Sequence, residues 1–443
     1  MKDIFIPEFC EKIIECLNAQ GFEAYLVGGC VRDSLMGKTP HDYDIATNAT
    51  PSEMKKAFCD LKVVSTGEKH GTLTVIVDNN AVEVTTYRID GDYCDNRRPQ
   101  FVEFTRNIEE DLSRRDFTVN ALAYNKKSGL IDLFCGENDI KNKIIKCVGE
   151  PDKRFLEDSL RILRALRFAS CLGFEIEKNT AKSIIKNKDL LKNISAERIF
   201  LEFKQLLQGE NAEKILIDFK EVFAVFIPEI RPCFDFDQKT KYHQYDVYTH
   251  IVKTVSACES DEILRLACFF HDIEKPSVFF TDENGVGHFY GHPKPSAETT
   301  RAVLKRLKAD NKTIETVVDL VLYHDRQIAT SEKSVKRFLS KTSPEFFKHL
   351  IKIKRADSLA HAKEYQNKEE YYNSLLQILE KIEKEEQCFK IKDLKINGND
   401  LINLGFCGEK IGIVLKKLLA GVIDEKVKNE KQELLSYIKK EIV

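Results

Sequence analysis

Two regions of the chain carry side chains whose types and spacing suit phosphate and metal chemistry. In Leu26-Val27-Gly28-Gly29-Cys30-Val31-Arg32-Asp33 a strand pattern runs into paired glycines and then a helix start. Such glycines let a phosphate approach backbone N–H groups, and Arg32 in the first helical turn is placed to hold a phosphate oxygen. Further on, His41-Asp42-Tyr43-Asp44-Ile45-Ala46 sets two aspartates at i and i+2, which a strand turns to one face. Adjacent carboxylates repel without a cation, and hard oxygen ligands at that spacing suit Mg2+ and bridging phosphates. A third carboxylate, Glu83, lies between Val82 and Val84 on an expected strand, where an unpaired charge is costly. It is the candidate to complete a two-metal centre.

The second region is histidine-rich: eight of the ten histidines fall between His243 and His361. His250, the doublet His271-Asp272, His292, His324 and Asp357 form a series of imidazoles and carboxylates spread over several expected helices. Such ligands can converge on one or two divalent metals. Between the two regions, Arg154-Phe155-Leu156-Glu157-Asp158 leads into Arg161, Arg164 and Arg167. Asp158 and Arg161 are three apart, which makes them neighbours on one helix face. The same helix carries Leu160, Leu163, Leu166 and Phe168, so it packs against something and its arginine row faces a limited space. An aspartate with an arginine offers acceptors and donors in fixed relation, as reading a nucleobase edge requires. The plain alternative is an ion pair on a solvated helix.

These side chains need elements to position them. Ala24–Val27, Thr72–Val77 and Val82–Tyr87 read as strands, with Asp78-Asn79-Asn80 turning between the last two. Phe9, Ile13, Ile14 and Leu17 predict a helix over 7–18. From Pro151 onward apolar residues recur every three or four positions and strands disappear. Breaks are expected at Glu210-Asn211, between Pro228 and Thr240, and near 362–368. The reading is α+β: a small mixed-sheet head over 1–150, then all-α segments, a neck over 151–235, a body over 236–365 and a tail over 366–443. The formal charge of −2, from 69 basic and 71 acidic residues, argues against a general nucleic-acid coat but leaves room for a local basic groove. Thirteen cysteines without a C-x-x-C pair exclude a disulfide scaffold or zinc finger and fit a reducing cytoplasm. No apolar run is long enough to span a membrane, and no secretory signal is expected at the N-terminus.

Taken together, the first set of motifs resembles the nucleotidyltransferase superfamily typified by DNA polymerase β. Within it, the chain resembles the class II CCA-adding tRNA nucleotidyltransferase and bacterial poly(A) polymerase family. Tyr93, Asp95, Arg97-Arg98-Pro99, Val102 and Phe104 look like that family's flexible loop, and the run from Asp111 to Ala121 matches its second motif. Asp132-Leu133-Phe134-Cys135-Gly136 with Asp139 looks like the hinge motif. Cys135 stands where glycine is common, a change expected to be harmless. Ser195-Ala196-Glu197-Arg198-Ile199 resembles the fifth motif, with a structural role. The resemblance implies a polymerase β-like head in which Asp42, Asp44 and Glu83 are catalytic, Asp42 and Asp44 holding Mg2+. It implies nucleotide contacts from Gly28, Gly29, Arg32, Asp33, Arg115, Asp116, Asn120, Asp158, Arg161, Arg164 and Arg167. Asp158 and Arg161 would act as a protein template for CTP or ATP.

The implied activity is template-independent addition of CMP, CMP and AMP to the tRNA 3′ end. The implied partners are tRNA, CTP and ATP, with no membrane and no obligate protein partner evident. A poly(A) polymerase, or an enzyme adding only CC or only A, is the alternative; a non-catalytic RNA-binding protein is the alternative of another class. The histidine series resembles an HD-domain phosphohydrolase, which implies a second divalent metal on His250, His271, Asp272, His292, His324 and Asp357. There His271-Asp272-Ile273-Glu274-Lys275-Pro276 puts Glu274 in place of a small residue, an expected source of crowding at the metal. The tail, with Gly405, Gly408 and a capping Asp400, resembles the C-terminal tRNA-gripping domain of bacterial CCA-adding enzymes and reads as a helix pair. It carries fourteen basic and fourteen acidic residues from 366 to 443, without the basic bias of a nonspecific RNA binder.

Overall fold

The computed structural model describes residues 4–91 and 102–441; the expected loop motif at 93–99 lies outside them. The chain divides into two compact units, residues 1–231 with 306–309, and residues 232–305 with 310–443.

The first unit begins with α1 (Glu8–Ala19), which follows Pro7, carries Glu8 and Glu11 in its first turn and buries Cys10, Ile13, Ile14 and Leu17 on one face. Then come β1 (Ala24–Val27), α2 (Gly29–Leu35), β2 (Asp44–Thr47), α3 (Pro51–Ala57), β3 (Lys62–Val64), β4 (Thr72–Val77) and β5 (Asn80–Thr86). A short pair, β6 (Arg88–Asp90) and β7 (Val102–Phe104), precedes α4 (Ile108–Ser113), β8 (Leu122–Asn125), β9 (Gly129–Asp132) and α5 (Gly136–Lys141). Seven strands form one sheet in the order β3-β4-β5-β2-β1-β8-β9. Only β2 and β5 run parallel, so the sheet is mixed as expected. The β4–β5 hairpin turns on Asp78 and Asn79, both at positive φ, the geometry that matches the twist of paired strands. Cys135 also sits at positive φ, 62°. The expectation that it is harmless therefore needs correcting: a side chain there costs roughly 1 kcal/mol that a glycine avoids.

The same unit continues with β10 (Ile144–Ile145), α6 (Pro151–Glu157), α7 (Leu160–Leu172), β11 (Glu175–Ile176), α8 (Lys178–Asn187), α9 (Ala196–Leu207), α10 (Ala212–Asp218) and α11 (Lys220–Phe226). Strands do not vanish after 151: β11 pairs in parallel with β10, each too short to show a period in sequence. α7 buries Leu160, Leu163, Leu166 and Phe168, and it crosses α9 closely. At that crossing the Ser170 hydroxyl donates to the Leu206 carbonyl and the Asn211 N–H to the Ser170 carbonyl.

The second unit holds α12 (Val247–Ala257), α13 (Glu262–Phe270), a hairpin of β12 (Phe280–Thr281) and β13 (Gly287–His288), α14 (Pro293–Arg306), α15 (Asn311–Tyr323), α16 (Glu332–Leu339), α17 (Pro344–Leu359) and α18 (Glu369–Lys384). Asp246, Asp261 and Asp310 cap α12, α13 and α15 by accepting from the third backbone N–H of each helix. The tail is three helices rather than a pair: α19 (Gly398–Asn403), α20 (Glu409–Ile423) and α21 (Lys431–Glu441). Asp400 takes part in a capping box with Asn397. Leu401, Leu418, Leu434 and Ile438 lie in a core of the tail's own. Among the described residues no helix is long and apolar enough to cross a membrane.

Two glycines make opposite predictions. A Cβ on Gly209 would lie 2.1–2.5 Å from Ser170, two of the three atoms belonging to its backbone. Gly209→Ala should lower the unfolding free energy by about 2 kcal/mol. Gly412 lies exposed inside α20 with nothing within 4 Å of a Cβ. Gly412→Ala should raise it by about 1 kcal/mol. Urea unfolding of the full chain reads both.

Candidate nucleotide cleft and metal centre

The first site is a cleft of about 670 Å³ in the first unit. β1 runs into Gly28, whose φ of 76° and ψ of −129° suit only glycine, and the chain turns there into α2. The Gly28 N–H is already donated to the Leu122 carbonyl, so it is not a free phosphate donor as the paired glycines suggest. Arg32 leaves α2 buried, donating to Asn120 Oδ1 at 2.5 Å and pairing with Asp33 at 2.8 Å. Asp42 precedes β2 rather than lying on it, and Asp44 is the first strand residue. Both line the cleft. Glu83 is the register partner of Asp44 on the parallel strand β5. The cost argument for Glu83 fails, because Val82 and Val84 turn to the buried face while Glu83 is exposed on the open one. Asp44 keeps solvent access but is desolvated by the surrounding protein. That desolvation, then the charge of Glu83, pushes its carboxyl up, with Asp42 adding and Arg115 opposing.

Across the cleft stand the arginines. Asp111, buried on α4, grips Arg114 at 2.7 Å and Arg115 at 3.2 Å. Asp116 accepts from Arg164 at 2.6 and 2.9 Å and from the Asn120 side chain at 3.1 Å. Burial alone would raise the Asp116 carboxyl, but the Arg164 charge and these hydrogen bonds outweigh it and bring it down to about 2. Arg167 binds Glu202 of α9 at 2.5 Å. The guanidiniums of Arg167, Arg32 and Arg164 lie 4.0, 5.2 and 5.2 Å from the centre of the Phe168 ring.

Asp158 and Arg161 are not a pair on one helix face. α6 ends at Glu157, Asp158 is extended with φ −134°, and α7 restarts at Leu160, whose N–H Asp158 Oδ1 accepts at 3.1 Å. The free side of Asp158 meets Arg198 at 3.2 Å, which gives the fifth motif a direct contact with the site. Arg161 binds Glu157 at 2.9 Å and the Arg114 carbonyl at 2.8 Å. Both Asp158 and Arg161 line the cleft all the same. Sequence reasoning missed His41, Arg114 and Phe168, which also line it. It read Phe168 as packing only; its place directly after Arg167 and four after Arg164 was the available signal.

The second site lies in the second unit. His250 comes from α12, His271-Asp272 from the end of α13, His292 from the start of α14, His324 from the end of α15 and Asp357 from α17. All six converge. Asp272 Oδ2 lies 3.0 Å from His271 and 3.3 Å from His250, and its Oδ1 lies 3.1 Å from His292 and 3.6 Å from His324. Asp357 lies 2.9 Å from His250 and 3.7 Å from His271. Two overlapping groups, His250-His271-Asp272 and Asp272-His292-His324, have the closeness of metal ligands.

The donor chemistry fits a cation. Nδ1 of His271, His292 and His324 each donates to the carbonyl three residues earlier, at 2.7, 2.9 and 2.6 Å. That fixes each tautomer and presents Nε2 to the centre. Nε2 of His292 and of His324 lie 3.1 Å apart, and neither oxygen of buried Asp272 has a partner of hydrogen-bond geometry. Two imidazole lone pairs at that distance need a cation or a proton between them. Burial would raise Asp272; the charges of His271 and Lys275, the latter 2.6 Å away, hold it well below the usual range. Glu274 does not crowd the centre as expected. Its carboxylate accepts from Thr299 at 2.6 Å, and it is not among the residues lining the adjoining cleft. The rings of His243 and His361, not among the expected ligands, lie 4.6 Å apart and tilted by 50° beside His250.

The Asp116–Arg164 pair gives a pH prediction. Its carboxyl is depressed from 3.8 to about 2, so its stabilisation is complete above about pH 4 and is lost as pH falls towards 2. Wild type should exceed Asp116→Asn by about 2 kcal/mol near neutral pH, a gap that closes below about pH 4 in urea unfolding series.

Known proteins match along the chain. Residues 24–146 match the poly A polymerase head domain, 173–234 the "probable RNA and SrmB-binding site of polymerase A", and 291–438 the tRNA nucleotidyltransferase domain 2. The CCA-adding enzyme of Lactobacillus delbrueckii subsp. bulgaricus is 51% identical over 191 residues, and that of Enterococcus faecalis 50% identical over 206. These stretches cover 43% and 46% of this chain and 48% and 50% of the relatives, so the match spans about half the length of those proteins. The Bacillus stearothermophilus CCA-adding enzyme, solved in complex with CTP, superposes with a TM-score of 0.72 at 26% identity, covering 99% of this chain and 98% of that one. The Thermotoga maritima CCA-adding enzyme, complexed with tRNA, shares the fold with a TM-score of 0.60 at 22% identity, over 99% of this chain and 96% of the other. In its head, in its later domains and in its fold, the chain is similar to the CCA-adding enzymes.

Proposed function

We propose that this chain adds CMP, CMP and AMP from CTP and ATP to the 3′ end of tRNA without a nucleic-acid template. The observation that carries the reading is one cleft in which Asp42 and Asp44 face six arginines, Arg161 among them, and the Asp158 side chain. The like charges of Asp42, Asp44 and Glu83, close enough to raise Asp44, suit a hard divalent cation, and Mg2+ is the ion we assign to Asp42 and Asp44. When bound there, Mg2+ lowers the pKa of the attacking 3′-hydroxyl and offsets charge on the transferred phosphate. Arg32, Arg115, Arg164 and Arg167 bind the triphosphate and hold it in line, and pyrophosphate departs toward Gly29 and Arg32. Asp158 and Arg161 read the base edge, oriented by Arg198 and Glu157. Positioning and fixed charge supply most of the acceleration. The solved complex of the B. stearothermophilus relative with CTP supports the choice of nucleotide. The body and tail bind tRNA in this reading, in a reducing cytoplasm.

The convergent imidazoles favour a second activity. The body is a metal-dependent phosphohydrolase of the HD type, its nitrogen-rich ligand set suited to a transition metal. Its substrates are phosphomonoesters or 2′,3′-cyclic phosphates.

Two measurements test these readings. Primer extension on tRNA transcripts ending at the discriminator base, at C and at CC should stop at CCA from every start, and Asp44→Ala should slow addition by about 10³-fold or more. A halt at CC, a start only from CC, or a long A ladder would replace the reading by a partial enzyme or a poly(A) polymerase; bound tRNA without extension would point to a binding protein. His271→Ala should abolish phosphatase turnover with added Ni2+, Mn2+ or Mg2+ and lower metal content by mass spectrometry, while addition stays at the wild-type rate.

A further inference from the structure

The hairpin beside the second candidate centre carries aromatic rings that are largely exposed. β12 and β13 pair antiparallel with Phe280 opposite His288. The side chains alternate, as strand geometry demands. Phe279 and Phe289 turn inward: they touch at 5.3 Å, Phe279 meets Phe236 at 5.2 Å, and Lys275 lies 5.4 Å from the Phe289 ring. Phe280, His288 and Tyr290 form a ladder on the other side. Phe280 stacks on His288 at 5.3 Å and His288 on Tyr290 at 5.2 Å, with interplanar angles of 30° and 26°. Phe280 is 47% and Tyr290 73% exposed.

The ladder is held firmly. Gly287 donates to the Lys239 carbonyl at 2.8 Å, and a Cβ there would lie 2.2 Å from the Gln238 carbonyl oxygen. Asp282 accepts from backbone N–H groups of Asn284 and Val286 and from His288 at 2.9 Å, which fixes the imidazole plane. The ladder also adjoins the metal centre. His288, Tyr290 and the ligands Asp272, His292, His324 and Asp357 line one cleft of about 620 Å³. Tyr290 is two residues from the ligand His292, joined through Gly291 at φ 80°. Lys354 and Lys368 add positive charge to the same walls.

Exposed aromatic faces fixed in a row, next to a centre built for phosphate, suit a ligand with a flat ring at one end and a phosphate at the other. We propose that Tyr290, with His288 and Phe280, is a nucleobase-stacking subsite that makes the body's metal centre select nucleoside phosphates over phosphates without a base. The proposal rests on the phosphohydrolase reading for the role of the metal centre. The base stacks on the Tyr290 face, and the phosphate reaches the Asp272-His292-His324 group. Stacking tolerates any base, so the subsite selects for a base without choosing among bases.

The test is calorimetric titration of the Mn2+-loaded full chain with adenosine 2′-monophosphate and with glycerol 2-phosphate, paired with turnover of both. Wild type should prefer the nucleotide at least ten-fold in affinity and in KM, with similar kcat. Tyr290→Ala should lose about ten-fold on the nucleotide and nothing on glycerol 2-phosphate, and Tyr290→Phe should restore the preference. Binding that keeps its base preference without turnover would remove the hydrolase reading and leave the subsite. Turnover of both compounds with equal KM, or a preference unchanged in Tyr290→Ala, would overturn the subsite and leave the hydrolase.

Discussion

Six guanidiniums in one cleft are the constraint around which the first unit is built. Like charges about 6 Å apart repel by roughly 3 kcal/mol at an effective dielectric near 20, so such a cluster needs its own acids. The chain supplies them within bonding distance: Asp33 for Arg32, Asp111 for Arg114 and Arg115, Glu157 for Arg161, Asp116 for Arg164 and Glu202 for Arg167. Several of these bonds join into a line. Arg32 bonds Asn120, Asn120 bonds Asp116, Asp116 bonds Arg164, and Glu202 lies between Arg164 and Arg167. The line crosses from α2 to α7 and α9. The bonds that make the cluster tolerable are therefore also those that fix the two walls of the cleft against each other, and they leave guanidinium edges facing inward for an anionic ligand.

The two centres differ in donor chemistry. The head offers carboxylates just before β2, at its first residue and on β5, solvent-accessible and mutually repelling, a set whose hard oxygens suit a hard cation. The body offers four buried imidazoles, and in His271, His292 and His324 one ring nitrogen is committed to a backbone carbonyl. Such a set is preorganised for a resident metal. Lys275 beside Asp272 reinforces the contrast, since it holds the carboxylate ionised within a buried shell.

Much of this was legible in residue order. β1 and β4 fall at the expected bounds, the strands of the head and the helical remainder follow from periods of two and of three to four, and the six candidate residues of the body lie together. What was not legible is three-dimensional. Glu83 lies at the right register, but the valines beside it face the other way, so the reason given for it was wrong even though the position was informative. Glu274 looked like an intrusion because sequence shows proximity and not direction; Thr299, on a helix not yet in view, draws it aside. Glu202 comes to Arg164 and Arg167 only through the α7–α9 crossing, which residue order does not show.

The break at Asp158 shows why direction matters more than spacing at a recognition site. On a continuous helix, Asp158 and Arg161 would be i,i+3 neighbours and could satisfy each other. A paired acid and base have little left to offer a nucleobase edge. The extended backbone at Asp158 separates them, and separate partners hold each one: Arg198 for the aspartate, Glu157 and the Arg114 carbonyl for the arginine. Each keeps part of its hydrogen-bonding capacity while its orientation is fixed by a neighbour. Donors and acceptors held apart by their own supports can meet an edge that supplies the complement, which is the condition for a protein side-chain pair to stand in for a template base.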